Sequence, residues 1–311
     1  FAFSLLFMAG ALMVWLFLHW PTLPEVWTDF YNMGAATEPG KWTDSIFPAL
    51  FITVACGAIS GFHGTQSPLM ARCVKSEKMG RPIFYGAMIT EGLVALIWAA
   101  AAIKFADSLN VDGNTPYEKL WAVMTNGGTT NPNPAILVNK VCSSWLGTAG
   151  AILAVLGVVA APVTSGDTAL RSARLIAADF MHYKQNKIYK RLILSVPIFI
   201  LSGTLMFINF DILWRYFAWF NQTLSAFTLW AITIWISKRC HTQKRNVAEV
   251  FIPLLPALWM TMVCSTYILI APEGFSLEHT FSYCIGGLAT LTALCCYVFW
   301  FKKFQTKGIA Q

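Results

Sequence analysis

The stretch Ser45–Ala71, SIFPALFITVACGAISGFHGTQSPLMA, decides the fold. It carries no Lys, Arg, Asp or Glu, and it is long enough to cross about 30 Å of hydrocarbon as a helix rising 1.5 Å per residue. Yet Gly57, Ser60-Gly61, His63-Gly64, Thr65-Gln66-Ser67 and Pro68 interrupt it. Glycine and proline free backbone groups that lipid cannot satisfy, so this segment must be buried in protein or line a wet cavity. A helix broken within a bilayer is the simplest account. Ser67 before Pro68 reads as an N-cap followed by proline at the first helical position, which predicts a second helix starting there and running to Arg72 and beyond. The N–H groups at its start would suit a substrate carboxylate.

The rest of the chain asks for the same solvent. Of 311 residues 56% are hydrophobic and 12% charged, against roughly 25% charged in a soluble domain. Eight apolar runs predict an all-α polytopic transmembrane bundle, at about 1–20, 45–62, 84–106, 145–163, 192–210, 212–236, 251–271 and 281–301. Seventeen of the 22 Lys and Arg fall in alternate loops, around 72–81, 171–191, 238–245 and 302–307, which the positive-inside rule assigns to the cytoplasm together with both ends of the chain. Loops 21–44 and 107–144 then lie outside. The Asn-Gly, Gly-Gly and Asn-Pro steps of 107–144 predict turns and a boundary between a three-span part, 1–110, and a five-span part, 140–311. Trp20, Trp42, Trp145 and Trp214 read as interface anchors. The chain opens inside an apolar run without an initiator Met and reads as a piece of a longer membrane protein.

Several polar residues stand out against this background. The fourth span repeats the broken-helix device: Pro162-Val163-Thr164-Ser165-Gly166-Asp167 interrupts a small-residue helix, as at the sites of many secondary transporters. The alternative is a surface turn in which Asp167 pairs with Arg171 at i,i+4. Glu91 is a carboxylate inside an apolar run, about 10 Å below the end of the third span. An intramembrane acid is expensive unless paired or protonated, so Glu91 is a candidate proton carrier, or a packing residue that hydrogen-bonds a neighbouring helix. Asn221 and Gln222 lie near the middle of the sixth span, where amides bind a polar solute or bridge helices. Asp211 and Arg215, at its outer end, are spaced for an i,i+4 pair, with a gating role as the functional alternative. The candidate substrate-binding set is Gly61, His63, Thr65, Gln66, Ser67, Ser165, Asn221 and Gln222; the candidate proton carriers are Glu91 and Asp167.

Enzyme, metal and nucleic-acid readings lack their parts. There is no HExxH, GxSxG or P-loop, and the eight Cys form no CxxC. No cofactor is expected. The net charge of +7 is the topological bias of the loops rather than a nucleic-acid footprint.

The run Ala55 to Pro68, continued by Met70-Ala71-Arg72-Cys73 and by Phe84-Tyr85-Gly86-Ala87-Met88 with Glu91-Gly92, resembles the central motif of the carbon starvation protein A (CstA) family. Thr164 to Arg174, and Trp214-Arg215-Tyr216-Phe217 with Asn221-Gln222-Thr223-Leu224, resemble that family's five-helix C-terminal domain. The resemblance implies a bacterial inner-membrane secondary transporter with broken helices, importing pyruvate or peptides under carbon limitation and coupled to protons. It also implies further N-terminal helices that supply part of the substrate site. Gly64 stands where the family usually has Ala, and Thr65 to Pro68 differ from many members. A different class of function, a membrane nutrient sensor read by a cytoplasmic partner at the basic segment 171–191, would bind solute without moving it.

Overall fold

The computed structural model describes residues 2–19, 47–52, 59–109, 116–125, 133–208, 210–243 and 245–308. The expected outer loop 21–44, with the anchors Trp20 and Trp42, lies outside them, as do the side chains of His63 and Asp211. All regular structure among the described residues is helical. In chain order it comprises α1 (Ala2–Leu18), α2 (Phe62–Ala71), α3 (Gly86–Asp107), α4 (Pro116–Met124), α5 (Pro134–Phe180), α6 (Ile188–Leu205), α7 (Phe210–Gln243), α8 (Phe251–Ile270) and α9 (His279–Gly308), with 47–52 also helical.

Among the described residues, five segments are long and apolar enough to span a bilayer: Glu77–Asp107, Pro134–Gly157, Ile188–Leu205, Val247–Ile270 and His279–Gln305. The apolar helix Phe3–Leu18 is shorter. α7, expected as a span over 212–236, is a helix of 34 residues but is not among the five. Asn221 and Gln222 lower its mean hydropathy, and both are buried, so this helix is made to face protein.

Two expectations of local structure are corrected. The stretch 107–144 contains helix α4, and α5 begins at Pro134. The Asn-Pro step read as a turn is a helix start: Asn133 Oδ1 accepts from Ala135 N at 3.0 Å, and Pro134 holds the first helical position. Nor is the fourth span interrupted at 162–167, because α5 runs through that stretch for 47 residues in all. It bends instead at Gly147, whose φ of 63° and ψ of −152° are open essentially to glycine alone. A Cβ there would meet nothing within 4 Å, so the cost of a side chain is purely conformational. Gly147→Ala should therefore lower stability by about 1–3 kcal/mol, read as a fall in thermal midpoint in detergent.

The chain folds as two compact units, Phe1–Thr37 with Pro68–Leu213, and Glu38–Ser67 with Trp214–Gln311. In the first, Met8, Leu12 and Leu16 of α1 bury against Ala101 and Phe105 of α3 and Val141, Cys142 and Ala154 of α5. Trp145, expected at an interface, stacks on Trp15 within this core at 3.9 Å between ring centroids. In the second, Ile52 packs with Ala226 of α7 and with Met260, Val263, Cys264 and Tyr267 of α8. Tyr283 of α9 donates to the Phe47 carbonyl at 3.1 Å, which fixes the 47–52 helix against that bundle.

Candidate functional site

The break expected in the second span is present, but earlier than Ser67-Pro68. The chain bends at Ile59–Ser60, and α2 starts at Phe62 and runs through Pro68. Ser60 Oγ accepts from the Phe62 amide at 3.3 Å, and the Gly64 amide donates to the Gly61 carbonyl at 3.0 Å. Thr65 Oγ1 donates to the Phe62 carbonyl at 3.1 Å. Thr65, Gln66 and Ser67 are thus half-buried residues within a helix rather than donors at its tip, so no helix N-terminus faces a carboxylate between Thr65 and Pro68. The first turn of α2 is closed by its own chain.

What the break does is bring the backbone onto α7. Asn221 and Leu224 lie directly over Gly61: a Cβ built there would sit 2.8 Å from Leu224 Cβ and 2.9 Å from Asn221 Oδ1, and closer still to the Asn221 carbonyl oxygen. Asn221 Nδ2 donates to Ser60 Oγ at 3.5 Å. Ser225 Oγ lies 3.0 Å from the Asn221 carbonyl and 3.5 Å from that of Ile59, so it bridges the helix to the break. Phe62 packs on Phe217, with centroids 5.7 Å apart. Gly64 faces Thr228, whose Oγ1 would lie 2.6 Å from an added Cβ. Positions 217, 221, 224, 225 and 228 form one stripe of α7 at helical spacing. Asn221 and Ser225 of this stripe are buried, as are Ser60 at the break and Gln222 next to Asn221 in sequence.

The structure therefore joins Gly61 and Asn221 of the candidate set directly, with Gln222 fully buried beside them in sequence. Ser60 and Ser225 belong to the same junction and were missed. A lone serine carries no signal, although Ser225 follows Asn221 at i+4. Ser165, Asp167 and Glu91 belong to the other unit. Ser165 and Asp167 are exposed on α5, and Asp167 accepts from Arg171 at 2.9 Å, the i,i+4 pair read as the alternative. Glu91 is exposed on α3 among the open apolar side chains Ile89, Leu93 and Leu96. An ionised carboxylate is not stable against lipid, so this face calls for protein or water beside it.

At the start of α7, Arg215 reaches Glu273, in the loop after α8, at 3.4 Å. Glu273 also accepts from Tyr267 Oη at 2.8 Å, and its carbonyl accepts from Tyr216 Oη. Its side chain is 4% exposed, against 39% for Arg215. The expected partner Asp211 lies outside the described side chains; Glu273 is a tertiary partner of Arg215 that local spacing does not show. A cavity of about 570 Å³ lies among α7, α8 and α9. Its polar groups are spent internally: Trp219 Nε1 donates to the Cys264 carbonyl at 3.0 Å, and Trp230 Nε1 to Thr261 Oγ1 at 2.9 Å. Such walls suit hydrocarbon rather than a carboxylate.

Apolar helices of spanning length define a multi-pass membrane protein. Comparison with known proteins is specific. The family described as carbon starvation protein CstA matches residues 2–130. An uncharacterized protein of Haemophilus influenzae is 40% identical over 121 residues, 39% of this chain and 83% of that protein. The chain belongs to the carbon starvation protein CstA family. The pyruvate/proton symporter BtsT of Escherichia coli is 41% identical over 100 residues, 29% of this chain and 13% of the symporter. The peptide transporter CstA of the same organism is 34% identical over 105 residues, 33% of this chain and 14% of the transporter. The matched part therefore covers about one-seventh of each transporter's length. No solved structure matches the chain.

Proposed function

We propose that this chain is part of a proton-coupled secondary transporter of the bacterial inner membrane that imports a small carboxylate-bearing nutrient, pyruvate or a peptide. The observation that carries the reading is the helix break at Ile59–Gly61, held on α7 through Ser60, Asn221 and Ser225. A backbone irregularity inside a span persists only where protein or a wet cavity satisfies it, which is how secondary transporters build sites at the level of the membrane. The similarity to proteins named as a pyruvate/proton symporter and as a peptide transporter supports the same class. The excess of Lys and Arg in alternate loops supports a cytoplasmic position for the chain ends and for segment 171–191.

In this mechanism Gly61 lets the broken backbone approach α7, and the Asn221 and Gln222 amides hold the polar substrate, alongside His63, Thr65, Gln66 and Ser67 of α2. Glu91 carries the coupling proton on α3, in the first unit, where Asp167 and Ser165 of α5 are a further proton carrier and a further substrate ligand. Glu91→Gln is expected to abolish gradient-driven accumulation while solute exchange across the membrane, which needs no net proton movement, survives. Proteoliposomes of the full-length protein measure both. Accumulation by Glu91→Gln at the wild-type level would contradict the assignment.

A further inference from the structure

The α5–α6 hairpin contains a cavity of which the transport reading uses only Asp167. It has a volume of about 370 Å³ and is lined by Asp167, Arg171 and Arg174 of α5 and by Arg191, Ser195 and Phe199 of α6. These positions recur at three- and four-residue intervals on each helix, so each helix turns one continuous face to the cavity. Asp167 is already committed to Arg171 at 2.9 Å, which leaves the positive charges of Arg174 and Arg191 without a carboxylate in the cavity.

Gln185, in the turn between the helices, ties the two arginine segments together. Its backbone carbonyl accepts from Arg191 Nε at 3.0 Å, which fixes that guanidinium, and its side-chain Nε2 donates to the backbone carbonyl of Arg174 at 3.5 Å. Arg174 Nε is buried and has no hydrogen-bond partner among the described residues. A buried cationic donor without an acceptor is costly, and a polar cavity beside it is where an acceptor would sit. Positive-inside bias accounts for basic residues in this segment, but not for two of them converging on one cavity with a donor left open.

Apolar side chains complete the lining: Leu170, Ile198 and Phe199 face the same cavity. From Arg191 to Phe199 the wall descends roughly 12 Å along α6, at 1.5 Å per residue, from guanidinium to hydrocarbon. We propose that this cavity binds a phosphate group through Arg174 and Arg191, that of an anionic phospholipid whose acyl chain continues along Ile198 and Phe199. Planar guanidinium groups match phosphate oxygens two by two, and each charge-assisted pair is among the stronger hydrogen bonds. Soluble phosphate offers the same oxygens but no tail for the apolar wall. The site is independent of the substrate reading and stands or falls separately from it.

Native mass spectrometry of the detergent-purified protein tests this, titrated with phosphatidylglycerol, phosphatidylcholine or inorganic phosphate. Phosphatidylglycerol should bind about tenfold more tightly than phosphatidylcholine, and Arg174→Gln or Arg191→Gln should each lower its affinity by about tenfold. Lys184→Gln and Lys187→Gln, which remove charge from the same turn outside the cavity, should leave it unchanged. Arg174→Lys keeps the charge, and with it the fold, but loses the fork and should bind at an intermediate level. Displacement of the lipid by millimolar inorganic phosphate would keep the phosphate site and assign it a soluble ligand. Lipid binding unaffected by Arg174→Gln and Arg191→Gln, or reduced as much by the two lysine changes, would overturn the proposal.

Discussion

Gly61→Ala should cost the protein about 1–3 kcal/mol of stability and most of its transport. The added Cβ would press on the Asn221 carbonyl and on the first side-chain carbon of Leu224, and neither is the free end of a flexible side chain. Relief requires α2 to move off α7, which opens the contacts of Ser60 with Asn221 and of Ile59 with Ser225. Gly64→Ala is the informative contrast. There the neighbour is the Thr228 hydroxyl, which donates to the Leu224 carbonyl at 2.9 Å and can rotate away at the expense of that one hydrogen bond. Thermal unfolding of both variants should rank Gly61→Ala well below Gly64→Ala; equal midpoints would mean that the close approach at Gly61 is not a constraint.

Arg215→Ala should destabilise by about 3 kcal/mol, and Glu273→Gln by distinctly less. The asymmetry follows from burial. Removing Arg215 leaves the carboxylate of Glu273, 4% exposed, with Tyr267 as its remaining side-chain partner, whereas Arg215 is 39% exposed and can turn to water when Glu273 is neutralised. In the double variant Arg215→Ala/Glu273→Gln the penalty should largely disappear, because no buried charge is left unpaired. A double-mutant cycle by thermal unfolding gives the coupling directly. A value near zero, or Glu273→Gln being the worse single change, would remove the ion pair from the account.

The membrane class and the broken second span were legible because they rest on composition and on local chemistry that lipid enforces. Long charge-free runs have one economical reading, and glycines and a proline inside such a run have few. The position of the break was not legible. Ser67-Pro68 carries every local mark of a helix start, yet α2 begins at Phe62, because Gly61 permits a close approach to Asn221 that no local rule registers. Asn133-Pro134 failed in the opposite sense: the residues that make turns also cap helices, and the helix that follows decides between them. Gly147 was hidden in a small-residue stretch whose composition carries no sign of φ, so the bend was assigned to Pro162–Asp167 downstream. The tertiary pairing of Arg215 with Glu273, in the loop after α8, was not legible either, because the two lie 58 residues apart in the chain. In the candidate site, Asn221 and Gln222 were visible as amides in an apolar helix, whereas Ser60 and Ser225 gain meaning only once the two segments meet.

The central claim is gradient-driven transport of a small carboxylate, and uptake of labelled pyruvate into proteoliposomes of the full-length protein tests it most directly. With an imposed proton gradient, pyruvate or, in a parallel arm, a labelled dipeptide should accumulate above its external concentration, and collapse of the gradient should stop it. If neither solute accumulates in vesicles shown to hold the folded protein and the gradient, the transport reading is contradicted.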